Sequence, residues 1–168
     1  MRPGWLQNRS RRGFTLVELL VALAITSTVG SVVSTGIHQV FTNHARSTAH
    51  MAAIADVENA IHYLSRDVQQ AQVLDLGASA GFPLNLTWVD WGGVVNQVTY
   101  TIVGDELQRA YSTGGAPTTR VVARHIDPAN TALDFQLGVF DFRITSWVGG
   151  TRPSTETRVG EIIPRSAQ

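Results

Sequence analysis

From Phe14 to Val33 the chain reads FTLVELLVALAITSTVGSVV, twenty residues with one charge, Glu18, and no Pro. At 1.5 Å per residue such a helix is about 30 Å long, the hydrocarbon thickness of a bilayer. Arg2, Arg9, Arg11 and Arg12 precede the run, and no charge follows it until Arg46. The positive-inside asymmetry therefore predicts a single pass, with residues 1–13 cytoplasmic and everything past about residue 40 outside. An ionised carboxylate inside such a segment costs about 2.5–3.5 kcal/mol on insertion scales, so Glu18 requires a partner. A discarded secretory signal fits less well. Ala22 and Ala24 are small enough for a cleavage site, but the apolar run continues through Val29, Val32 and Val33 without the polar break such a site needs.

The 168 residues suit one domain plus an appendage, and the 43% hydrophobic content is enough to build a core. The absence of Cys excludes a disulfide framework, a thiolate metal site and cysteine catalysis. A formal net charge of zero hides an asymmetry, because residues 14–168 carry nine Arg against 13 acids and are near −4. The bases Arg109, Arg120, Arg124, Arg143, Arg152 and Arg158 are dispersed, although Arg120 and Arg124 could share a patch. That pattern argues against a broad electrostatic grip on nucleic acid, which needs clustered cations to displace counterions.

The run Arg11-Arg12-Gly13-Phe14-Thr15-Leu16-Val17-Glu18-Leu19-Leu20 resembles the class III signal of type IV pilins and type II secretion pseudopilins. The resemblance implies that a prepilin peptidase cuts after Gly13 and methylates the new amino terminus at Phe14. Residues 1–13 would then be a removed leader, 14–40 a transmembrane and filament-core helix, and 41–168 an exported domain. It also implies a partner for Glu18: the terminal amine of a neighbouring subunit. The physics is consistent, because cutting at Gly13 creates an amine that stays cationic when methylated and leaves a buried anion four residues along the helix. Offset in this way, the two charges satisfy each other only between staggered chains, and removing either strands the other. Gly13, without a Cβ, lets a protease approach the backbone closely. The implied setting is the bacterial inner membrane, single-pass, with a periplasmic C-terminal domain that later enters a filament. The implied partners are the prepilin peptidase, other pilins or pseudopilins in a hetero-oligomeric filament, the inner-membrane assembly platform and membrane lipid.

Beyond the membrane segment, Ile54, Val57, Ile61, Leu64, Val68 and Ala71 step by three or four and form one apolar stripe. No Pro interrupts residues 14–72, which predicts one helix, apolar all round in its first half and amphipathic in its second. Between the halves, Thr26 to Gly36 is rich in residues that each cost about 0.5–1 kcal/mol relative to Ala, making it the weakest stretch. After Gln72 the period becomes alternating. Leu84, Leu86 and Trp88 alternate, and Val94–Val103 and Leu107–Tyr111 flank Gly104-Asp105-Glu106 as a hairpin. Val121–Ile126, Ala132–Leu137, Val139–Trp147 and Val159–Ile163 are further strand candidates, with turns at 127–130 and 149–153. The predicted fold is α+β, type IV pilin-like: a long N-terminal helix whose outer half packs on an antiparallel β-sheet.

Glu58 to Asp67, followed by Val98 to Arg109, is similar to the J-type minor pseudopilins and the W-type minor pilins. This resemblance implies a minor structural subunit of a type II secretion pseudopilus. A minor pilin of a type IV pilus, or a competence pseudopilin, is the alternative, including an adhesive or DNA-binding module. No catalytic, cofactor-binding or metal-binding residue is expected, and the chain is not read as an enzyme. His38, His44 and His50 recur every six residues, which turns them roughly 120° apart on a helix and prevents convergence on one ion. Glu58 and His62 stand at i, i+4, a spacing that suits an ordinary surface pair rather than catalysis. Asp105 and Glu106 suit a solvated turn, and Asp134 and Asp141 can meet across adjacent strands. The sequon Asn85-Leu86-Thr87 is read as chance in an exported bacterial-type protein. No phosphate loop, G-x-S-x-G elbow or H-E-x-x-H occurs.

Overall fold

The computed structural model describes residues 14–150 and 153–164, and the chain divides into one unit ending at Thr42 and a second beginning at Asn43. The helix α1 spans Leu16–Gln70, 55 residues, close to the expected extent. In the first unit every described residue up to Phe41 is exposed. Hydroxyl side chains in this stretch are paired within the helix. Thr26, Ser27, Thr28, Ser31 and Thr35 each donate to the carbonyl four residues earlier, at 2.7–2.9 Å. Such back-bonding leaves each of these hydroxyls paired with the helix's own backbone.

In the second unit, α1 buries Ala49, Ala53, Val57, Ala60, Leu64 and Val68, and Ala71 continues the face. The centre of this face is rotated from the expected stripe, leaving Ile54 and Ile61 half-buried at its margin. Ala53, Ala60, Leu64 and Val68 have no exposure at all, and Ala60, Leu64 and Val68 belong to the core cluster shared with the strands.

The structure contains two antiparallel sheets where sequence alternation suggested one. Strands β1 (Val73–Gly77), β2 (Gly81–Val89), β3 (Val95–Val103), β4 (Glu106–Ser112) and β5 (Thr118–Ala123) form a five-stranded meander in chain order. Strands β6 (Ala132–Gln136), β7 (Val139–Val148) and β8 (Ser154–Ile162) form the second. β1 was not anticipated, because its short alternation of Leu74 and Leu76 around Asp75 is cut off by Gly77. The 104–106 hairpin is present, with Glu106 inside β4 rather than in the turn. β8 starts earlier than Val159, since Ser154 to Arg158 is polar and pairs through its backbone with β7.

The expected strand Val121–Ile126 is divided between the sheets. β5 ends at Ala123, His125 takes a positive φ of 53°, and Ile126 bridges Ser146 of β7. Asp56 of α1 fixes this bend, accepting the Arg124 backbone N–H at 2.9 Å and bonding His125 Nδ1 at 2.9 Å. The turn at 127–130 is present. The Asn130 amide donates to Asp127 at 2.8 Å and holds that carboxyl below its usual range, with the Ala129 N–H assisting. The core runs under both sheets: Leu84, Leu86, Val98, Tyr100 and Leu107 from the first, Phe140 and Ile144 from the second.

Candidate processing and assembly site

Thr15 begins the helix. Its Oγ1 accepts the backbone N–H of Glu18 at 3.2 Å, and its carbonyl accepts the N–H of Leu19 at 3.1 Å. Thr15 is therefore the N-cap and Glu18 the third helical residue, the positions of a Thr-x-x-Glu capping box. An acid in the first turn is also favoured by the positive end of the helix dipole. The bond to Thr15 is made by the Glu18 backbone N–H, and the carboxylate's share in the capping is its place in the first turn. The signal was present in the sequence as the four-residue pattern Thr15-Leu16-Val17-Glu18.

Phe14 lies just ahead of the cap and is exposed, as are Leu16, Val17, Leu19, Leu20 and Leu23. None of the apolar window of this helix is buried inside the chain. Twenty and more residues of bare apolar helix are unstable in water, so lipid or other helices must cover them. Gly13, the expected cleavage position, lies outside the described residues, as do Arg2, Arg9, Arg11, Arg12 and Arg152.

A second polar constellation went unrecognised in sequence. Asp67, 2% exposed, accepts Arg109 Nε at 2.6 Å and Nη2 at 3.0 Å, and the Tyr100 hydroxyl at 2.5 Å. A bidentate guanidinium with a phenol on the same carboxylate satisfies a charge that would otherwise be prohibitive in the core. Burial raises the Tyr100 hydroxyl far above its ordinary value, and the charge and hydrogen bond of Asp67 add to this. Burial also opposes the charge on Arg109, but the hydrogen bond and charge of Asp67 outweigh it and the guanidinium sits above its usual value. Arg109 further covers the Tyr111 ring at 5.3 Å, and Trp88 stacks on that ring at 6.5 Å. The available signal was Asp67 itself, an acid between Leu64 and Ala71 on the apolar stripe.

The other candidates separate. Arg120 lies over the Tyr63 ring at 5.1 Å while Arg124 reaches Glu106 at 3.7 Å, so the two bases are engaged apart and form no shared patch. Arg158 contacts Glu156 and Glu58 at 3.3 and 3.7 Å. His38 and His44 lie along α1, and His50 Nδ1 is 3.3 Å from Ser154 Oγ. Asp134 and Asp141 are cross-strand partners, as their spacing suggested. Asn85 of the sequon is held in β2, donating to Asp75 and accepting from Thr99. Among the described residues, no three His, Asp or Glu side chains are grouped so as to hold a metal.

Residues 8–34 match the family model described as the prokaryotic N-terminal methylation motif. No curated protein and no solved structure matches the chain. The motif, together with a long apolar N-terminal helix and an α+β fold consistent with type IV pilins, supports a type IV pilin-like assignment. It implies processing by prepilin peptidase and assembly with other pilins, in a family whose members are structural, and it suggests membrane anchoring.

Proposed function

We propose that the chain is a minor, J-type structural subunit of a type II secretion pseudopilus. In this reading it is held in the inner membrane by residues 14–40, cut after Gly13, methylated on Phe14 and assembled through its N-terminal helix. The observation that carries the reading is a bare apolar helix whose capped start presents one acid, within the matched methylation motif. Once Phe14 bears the terminal amine, Glu18 lies four residues along the same helix and can pair only with the amine of a staggered neighbour.

The stretches Glu58–Asp67 and Val98–Arg109, which carry the second resemblance, meet through Asp67, Tyr100 and Arg109.

Intact-mass measurement of the membrane-purified product tests the processing. It should begin at methylated Phe14, and replacing Gly13 should leave the precursor. Equal processing of both chains refutes the reading. Glu18→Val should still insert and be cut, yet co-purify poorly with its companion subunits; normal incorporation counts against the charge-pairing step.

A further inference from the structure

Just beyond its apolar half, α1 carries Asn43, Arg46, Ser47 and His50, which stand at i, i+3, i+4 and i+7 and so share one helix face. This face and the start of β8, at Ser154 and Thr155, line a groove of about 520 Å³. His50 Nδ1 lies 3.3 Å from Ser154 Oγ and ties the two walls together. When the serine donates, the imidazole proton sits on Nε2 and remains available to a ligand.

The groove surrounds one guanidinium with an amide, an imidazole and three hydroxyls. Among the described residues no acid lines it, and none forms an ion pair with Arg46. Glu156, two residues along β8 from Ser154, is already held by Arg158 at 3.3 Å. The same sign extends along the chain, because every titratable side chain between Glu18 and Asp56 is basic: His38, His44, Arg46 and His50. A guanidinium with neutral donors beside it is the chemistry of phosphate binding.

The place of the groove along α1 says which phosphate. Exposed apolar side chains continue to Ile37, Val40 and Phe41. From Leu16 to Phe41 the helix is about 40 Å long, close to the ~40–45 Å of a bilayer with its headgroup layers. Asn43 to His50 follow at once, where such a helix emerges from the outer headgroups.

We propose that this groove binds the phosphodiester headgroup of an anionic membrane lipid, with Arg46 as counter-ion and the neutral donors around it. The site rests on the membrane-anchored reading above and adds to it a lipid preference.

The test uses the full-length chain extracted from membranes into a neutral maltoside detergent, with native mass spectrometry to compare added phosphatidylglycerol and phosphatidylcholine. The parent should bind one phosphatidylglycerol at least about fivefold more tightly, the weight of one Arg at an anionic surface. Arg46→Gln should remove that preference. Ser47→Glu, which keeps Arg46 but sets an anion in the groove, should do the same. Arg66→Gln, at an exposed base farther along α1 and outside the groove, should retain it. Arg46 and Ser47 are exposed, so both groove variants should melt like the parent by circular dichroism, and if one melts early the other decides. Equal affinity of the parent for the two lipids overturns the proposal, as does an unchanged preference in a folded groove variant or an equal loss in Arg66→Gln. Displacement of the lipid by inorganic phosphate at matched concentration assigns the groove to a free anion and overturns the lipid source. A chain found in the soluble fraction refutes the membrane anchor itself, whereas an extracted chain without lipid preference refutes only the groove.

Discussion

At the scale of single residues, Asp67 shows how a charge is made tolerable in a core by saturating it with donors. Asp67→Ala removes the acceptor and strands Arg109 and Tyr100, so the unfolding free energy should drop by about 3–5 kcal/mol, measured by urea titration. Tyr100 adds a pH dependence whose sign follows from its raised pKa. The unfolded chain releases this proton near pH 10 while the folded chain keeps it, so the contribution is complete below pH ~10 and is lost as pH rises above it. Absorbance at 295 nm should show Tyr100 ionising only with global unfolding. If the parent's absorbance change exceeds that of a Tyr100→Phe chain by one tyrosine while the circular dichroism of both still reports a folded chain, Tyr100 is not held protonated by the fold and the buried bond is absent. Ser146 is the converse case: its Oγ is buried without a partner, so Ser146→Ala should be neutral or stabilising in a thermal melt.

At the scale of elements, α1 carries an exposed apolar half and a packed half on one backbone. Its outer half is packed by side chains spaced three and four apart, and Leu64 has no exposure at all. Leu64→Ala should cost about 2–5 kcal/mol by loss of transfer energy and the cavity left behind, and Leu64→Asp should abolish the cooperative circular dichroism melt. An unchanged melt would mean the buried face is misassigned. The helix, its apolar stripe and most of the strands were legible because each is written locally, in a period of 3.6 or 2. Ala53, Ala60 and Asp67 were not legible as core, since small size and charge argue against burial until the opposing sheet supplies Tyr100 and Arg109.

At the scale of the whole molecule, the second unit depends on one bend between its sheets. His125 holds an unfavourable positive φ there because Asp56, Asp105 and Trp147 bind the backbone or ring on either side. The Ile126 N–H donates to the Asp105 carbonyl at 2.8 Å, and the Trp147 N–H to the His125 carbonyl at 2.7 Å. Asp56→Ala removes two of these bonds at once. Hydrogen exchange should accelerate at 124–126 and along β6–β8 more than in β2–β4, and uniform acceleration would show that the two sheets open as one.

The amino-acid order alone determined the apolar stem, the solitary acid near its start, the methylation motif and the α+β class. These are short-range patterns, read by a membrane, a peptidase or a local helical period without reference to the rest of the chain. Only the tertiary structure decided that an apolar run near residue 124 breaks to feed two sheets and that Asp67 is a core residue. Each of those depends on partners thirty or more residues away, such as Asp67 with Tyr100 and Asp56 with Arg124. A pattern confined to one segment does not encode which distant segment will satisfy it.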